Sequence, residues 1–326
     1  MSNGIIPDYY RNLPPGHDYR LPPDLVVGQE YSLAADVPTN WGMAFMRMDA
    51  LRKISKGKGV LVGIADTGID ANHEQFASKR IRASRSFVNE SVFDGNGHGT
   101  HVAGTIMGDD PKIGGSQECE GLIAKVLSNG GSGRSDQIGA GFEWLDKEGC
   151  HIISASLGGP SPDQWTERAL RAFVERGGWA IIAAGNERQQ GRTVGYPAAY
   201  PFCLPIAAVD QNGRYASFSN PGKDNKQLAI SAPGVQIVSA RSGGGYVLMS
   251  GTSMATPMSA TAAVLYIGSC LSLGLPIPSS EQFRSILFGY ALDAGTPGAD
   301  RDYGPGYMRC DILARQLTPD APPLAI

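Results

Sequence analysis

The feature that most constrains this chain is a series of short, almost wholly apolar runs. Val60–Ala65, Ile123–Leu127, Ile152–Ser156, Ala180–Ala184, Ile206–Val209 and Leu228–Ser231 are too short for helices and carry little period-2 polarity. Runs of that kind suit strands buried on both faces. Between them lie helical candidates: Thr100–Met107, Asp136–Glu148 with Ile138, Phe142 and Leu145 at helical spacing, and Trp165–Glu175. Strand alternating with helix predicts an α/β fold of three αβα layers around a mainly parallel sheet. Ser253–Ser269 is small or apolar almost all round, which predicts a buried helix. Sites in such folds lie beyond the carboxyl ends of the strands, and Asp66, Ser156 and Asn186 each follow a strand candidate.

Composition narrows the function classes. Hydrophobic residues make up 42% and charged residues 18%, which excludes a disordered chain. The net charge of −3 offers no basic field for nucleic acid or an anionic membrane. No run reaches the roughly 20 apolar residues of a membrane span. Met1 to Arg20 lacks the basic start, apolar block and cleavage site of a secretory signal. Cys119, Cys150, Cys203, Cys270 and Cys310 are odd in number and never in CxxC spacing, so they read as reduced thiols in a cytoplasmic protein. Residues 1–36, with Pro14-Pro15 and Pro22-Pro23, read as an extended leader, 37–317 as the functional domain and 318–326 as a tail. Nothing in the pattern fixes an oligomeric state.

Three glycine-rich motifs carry the chemistry: Val62-Gly63-Ile64-Ala65-Asp66-Thr67-Gly68, Gly97-His98-Gly99-Thr100-His101, and Gly251-Thr252-Ser253-Met254-Ala255-Thr256-Pro257. A serine hydroxyl is a weak nucleophile at neutral pH. It needs a base, and the base needs a group that fixes its tautomer. His98 is the candidate base, Asp66 the orienting carboxylate and Ser253 the nucleophile. Ser253 at a helix start also offers its backbone N–H to an oxyanion, and Asn186 offers a second donor. Each motif alone has an ordinary reading: Gly-Thr-Ser-Met caps helices, and Asp-Thr-Gly after a strand serves other enzymes. Together, in one order, they point to acyl transfer. His101 reads as structural.

This Asp, His, Ser order and its motifs resemble the subtilisin-like serine proteases, from about Val37 to about Leu317, and among them the intracellular subtilisins. The resemblance implies a serine endopeptidase of broad specificity acting on proteins or peptides. It implies that Gly131 and Gly133 on one side, and Ser156, Leu157 and Gly158 on the other, pair with an extended substrate backbone. Ser156–Gly158 and Ala183, Ala184, Gly185 and Asn186 would wall the primary pocket, with Gly195 at its base. Such small walls favour a large apolar residue before the scissile bond, and Glu187 at the rim would tolerate a basic one. Leu127, Ile138 and Leu157 would form a second apolar pocket for the residue three positions further upstream, or else ordinary core. Ser135 is small where many relatives carry a lid tyrosine. Tyr196-Pro197 would be a cis bond beneath the primary pocket.

Relatives often bind calcium through an acidic residue that is Gln75 here, with Glu74 one position off. A second cation site, for calcium or a monovalent ion, would use the carbonyls of Ala198, Tyr200 and Cys203, but Ala229 stands where its Asp belongs. Asp109-Asp110 and Asp300-Arg301-Asp302 are the remaining acidic candidates. No cofactor is required by this reading. In the intracellular relatives a short proline-containing leader crosses the active site, a part Asn12-Leu13-Pro14-Pro15 or Arg20-Leu21-Pro22-Pro23 would play. Alternatives on the same scaffold are a transpeptidase or macrocyclase, an esterase, and a non-catalytic binding module.

Overall fold

In the computed structural model, residues 18–21, 26–31 and 37–318 are described. Asn12–Pro15, Pro22-Pro23 and the tail beyond Thr318 lie outside them. The strands in chain order are β1 (Asp18–Arg20), β2 (Val26–Tyr31), β3 (Leu61–Asp66), β4 (Ile81–Ser86), β5 (Glu120–Lys125), β6 (Ser132–Arg134), β7 (Ile152–Ala155), β8 (Trp179–Ala183), β9 (Leu204–Val209), β10 (Ile230–Pro233), β11 (Ile237–Ala240) and β12 (Tyr246–Ser250). The helices are α1 (Trp41–Phe45), α2 (Asp49–Arg52), α3 (His98–Met107), α4 (Ser135–Lys147), α5 (Gln164–Glu175), α6 (Thr252–Leu273), α7 (Ser280–Tyr290) and α8 (Cys310–Leu317).

Seven strands form one sheet in the order β10-β9-β8-β7-β3-β5-β4, and every pairing in it is parallel. Side chains alternate between its faces, so the consecutive apolar runs divide between two cores. Val62, Ile64, Ile123, Ile152, Ile181 and Ile206 face the core that holds α3 and α6. Leu61, Ala65, Leu122, Ile153, Ile182 and Ala207 face the core that holds α4 and α5. This is the three-layer α/β arrangement. The helix α6 is long and apolar enough to cross a membrane, but 94% of its apolar window is buried inside the protein, where it serves as the central core helix.

Two smaller sheets border the cleft. β12 pairs antiparallel with β11 on one side and with β2 on the other. β1 pairs antiparallel with β6. The run expected at Ile123–Leu127 forms its strand three residues earlier, at Glu120–Lys125, because the chain turns away once it has passed Asp66 of β3. β4, with the sequence Ile-Arg-Ala-Ser-Arg-Ser, gave no apolar signal because it is the half-exposed sheet edge.

Candidate active site

Asp66 is the last residue of β3, at the carboxyl end of the sheet. Its Oδ1 accepts hydrogen bonds from His98 Nδ1 and from Thr67 N, both at 2.7 Å. With Nδ1 donating, Nε2 is left as the basic nitrogen of the ring, and it has no partner. His98 opens α3 directly after Gly97, whose φ of 98° is the left-handed region that favours glycine.

Asp94 ties this half together. Its Oδ1 accepts from Thr67 Oγ1 (2.8 Å), Asn96 N (3.1 Å) and Gly97 N (2.8 Å). Its Oδ2 accepts from Thr100 N (2.8 Å) and Thr100 Oγ1 (2.7 Å). Burial alone would raise this carboxyl's pKa, but the donors from Thr100, Gly97 and Thr67 outweigh it and hold the group below the ordinary range. The loop after Asp66 and the start of α3 thus share one buried carboxylate. They also touch directly: a Cβ on Gly99 would come within 2.3 Å of Gly68 O. Asp94 escaped sequence reasoning, although an acidic residue four before a histidine at a helix start was a signal for it. Lys125 is also buried here, with Nζ donating to Thr67 O (2.5 Å) and Asn129 Oδ1 (2.8 Å).

Ser253 lies in the first turn of α6. Pro257, four residues on, has no N–H to give the Ser253 carbonyl. Ser156 Oγ donates to that carbonyl instead, at 2.9 Å. The Ser253 hydroxyl donates back to Ser156 O at 3.5 Å, a weak bond that leaves it free to turn. Asn186 Oδ1 accepts from Thr252 N (2.9 Å) and Thr252 Oγ1 (2.8 Å), so the amide orientation is fixed. Its Nδ2 is buried and unpartnered. A Cβ on Gly251 would lie 3.1 Å from Asn186 Nδ2 and 3.5 Å from Ser253 N, so a bare glycine keeps the space between these donors clear. Leaving a buried donor unpaired costs about 1–3 kcal/mol, which suits a group reserved for a charge that appears later. Asp66, His98, Asn186 and Ser253 are all fully buried.

The trough beside them holds the chain's own leader. Tyr19 stands opposite Gly133 in the β1–β6 register. Arg20 N donates to Gly158 O (3.1 Å), Gly158 N to Arg20 O (3.2 Å), and Leu21 N to Gly131 O (2.9 Å). Residues 18–21 are therefore the middle strand between the two segments read as substrate-binding. The Tyr19 ring is fully buried in one apolar cluster with Leu127, Ile138 and Leu157. Past Leu21 opens a cavity of ≈ 840 Å³ lined by Gly158, Ala183, Ala184, Gly185, Glu187 and Gly195 among others. Glu187 Oε2 accepts from Asn220 Nδ2 at 2.7 Å at its rim. The Tyr196–Pro197 bond is cis. His101 lies outside the site, buried with Nε2 on Ile237 O at 2.9 Å, and burial pushes its pKa down to about 3.

At the cation candidates several oxygens have protein partners. Gln75 Oε1 accepts from Asp110 N (3.0 Å) and Nε2 donates to Tyr246 OH (2.8 Å). Beside it the Arg80 guanidinium donates to Ser116 O (3.1 Å), Cys119 O (2.9 Å), Met107 O and Asp109 Oδ1 (2.8 Å). Of Ala198, Tyr200 and Cys203, the Cys203 carbonyl accepts from Arg284 Nη2, whose Nη1 reaches Lys226 O and Gln227 O at 3.3 Å. Asp302 pairs with Arg188 at 2.7 Å. Among the described residues no group of three or more His, Cys, Asp or Glu is placed to hold a metal.

The family model for the subtilase family, Peptidase_S8, matches residues 57–306. The chain is similar to Subtilisin Savinase of Lederbergia lenta, 36% identical over 288 residues that cover 86% of this chain and 100% of that protein. It is 39% identical to a thermostable alkaline protease of Halalkalibacterium halodurans over 285 residues, 86% of this chain and 74% of that one. An alkaline protease of Alkalihalobacillus alcalophilus is 36% identical over 290 residues, 87% and 71% respectively.

Proposed function

The chain belongs to the subtilase family and is a subtilisin-like serine endopeptidase, and from that premise we propose how its own residues carry the reaction. Ser253 Oγ attacks the scissile carbonyl carbon while His98 Nε2 takes its proton. Asp66 stays ionised, holds the Nδ1–H tautomer and stabilises the imidazolium. The oxyanion forms between Asn186 Nδ2 and Ser253 N. His98 then protonates the leaving amine, water enters, and His98 takes the water's proton and passes it to Ser253 Oγ as that oxygen leaves the acyl carbon. The observation that carries this reading is the 2.7 Å Asp66–His98 bond set beside the unpartnered Asn186 donor.

The leader is an inhibitory segment. It lies in the position of a substrate strand, and His98 and Ser253 have no contact with solvent. The cavity past Leu21 has small walls and accepts a large apolar side chain before the scissile bond. Activity is independent of a metal in this reading, because the Cys203 carbonyl, one of the three named for a cation, accepts from Arg284, and Gln75 Oε1 accepts from Asp110 N. The five cysteines are unbonded and buried, which fits a reducing, cytoplasmic setting. The test is hydrolysis of a chromogenic peptide anilide ending in Phe. The expected result is turnover abolished by Ser253→Ala; turnover surviving that change refutes the mechanism.

A further inference from the structure

The pocket around Tyr19 is apolar on its walls and polar at its floor. Tyr19 OH donates to Asp163 Oδ2 at 2.5 Å and lies 3.2 Å from Thr166 Oγ1. Thr166 Oγ1 itself donates to Asp163 Oδ2 at 2.6 Å. Asp163 has little freedom to move. Its Oδ1 caps α5, accepting from Trp165 N (3.0 Å) and Thr166 N (2.9 Å). Its backbone is clamped by Tyr200, whose hydroxyl accepts from Asp163 N (2.9 Å) and donates to Asp163 O (2.7 Å). The carboxylate is nearly buried, 9% exposed. Helix capping uses one of its oxygens and leaves the other facing the pocket.

From this geometry we infer that the subsite occupied by Tyr19 selects tyrosine over phenylalanine in a substrate, with Asp163 as the specificity-determining residue. The inference rests on the peptidase reading above and deepens it. Tyr19 stands opposite Gly133, two residues before Leu21, and a substrate in the same register presents there the residue three positions upstream of the one that fills the primary pocket. Aliphatic and aromatic rings gain equally from Leu127, Ile138 and Leu157. Only a phenol reaches the carboxylate, and a phenylalanine ring would leave Asp163 Oδ2 buried with Thr166 as its single partner. Sites that hydrogen-bond a substrate hydroxyl discriminate strongly against the analogue that lacks it. Because Thr166 still satisfies part of the carboxylate, the expected ratio is roughly ten- to hundredfold. Targets of this enzyme are then unfolded or extended segments with a tyrosine at this spacing upstream of the cut.

The experiment is internal competition: two peptides differing only by Tyr or Phe at that position, digested in one tube by the full chain. The ratio of their kcat/KM values does not depend on how much of the enzyme is active. The expected result is roughly ten- to hundredfold faster consumption of the Tyr peptide. In Asp163→Ser, where serine still caps the helix but does not reach the phenol, that ratio falls toward one. A merely structural role for Asp163 would slow both peptides together and leave the ratio standing. Both peptides cut at equal rates by the unaltered chain would overturn the inference while leaving the peptidase reading intact. Neither peptide cut even by the Tyr19→Ala chain, in which the leader no longer fills the subsite, would overturn both.

Discussion

The two halves of the candidate site leave different groups free. Around Asp66 and His98, the bonds of Thr67, Asp94 and Thr100 interlock to hold the imidazole, and the buried atoms left without partners are Asp66 Oδ2 and the basic His98 Nε2. Around Ser253 and Asn186 the protein spends its hydrogen bonds on orienting an amide and then leaves the donor empty. A proton carrier must be in place before the reaction starts, so the ring is already held by Asp66 Oδ1 in the ground state. A donor for an oxyanion is useful only when the charge appears, so it is held ready and unpaired.

Mutation sharpens that comparison. Replacing Ser253 or His98 by Ala lowers kcat about 10⁶-fold, and the double variant is little worse than either, because the two act as a unit. Replacing Asn186 by Ala costs about 10²–10³ in kcat with KM nearly constant, since that donor meets only the transition state. If Asn186→Ala raised KM and spared kcat, the two halves would not differ in the way described. Steady-state kinetics on peptide anilides, corrected for active-site concentration, distinguish these outcomes.

The leader offers a second contrast, because Tyr19 is fully buried in its subsite while the Asp18 and Arg20 side chains on either side of it are exposed. Tyr19→Ala in the full chain loses both the ring and its bond to Asp163, so the initial hydrolysis rate rises about tenfold or more. An unchanged initial rate would reduce the leader to a bystander. Smaller still is the effect of a chelator. EDTA leaves activity within about twofold, whereas Arg284→Ala, which strands the Cys203 and Gln227 carbonyls, lowers the melting temperature by several degrees.

Acid acts on α3 and the loop before it. His101 stays neutral in the fold down to about pH 3 and takes a proton near 6.5 when unfolded. Between those values the unfolded chain binds more protons, so stability falls as pH drops below about 6.5. Asp94, whose pKa is lowered in the fold, contributes stability that is present above its unfolded value of 3.8 and lost as pH falls through its lower folded value. Denaturant titrations across that range should show a decline that steepens below about pH 4. A flat profile would contradict both assignments.

Legibility in the sequence followed the same divide. Runs such as Ile152-Ile153 and Ile181-Ile182 announce strands buried on both faces, because each neighbour feeds a different core. The short leader strand β1 and the edge strand β4 carry no such signal, since alternate side chains in them are exposed. Asp66, His98, Ser253 and Asn186 stood out because glycines and small residues surround them. Asp163 did not, because the group that meets its carboxylate in the trough, Tyr19, is 144 residues away; Asp94 meets mostly local groups, and its place before the start of α3 was the signal for it.

The most direct test of the account is the rate and place of labelling by a fluorophosphonate, read by intact mass and peptide mapping on the full chain and on Tyr19→Ala. The account predicts a single adduct on Ser253, formed faster in Tyr19→Ala and lost when His98 is replaced by Ala. An adduct on another residue, or labelling of Ser253 indifferent to His98, would contradict it.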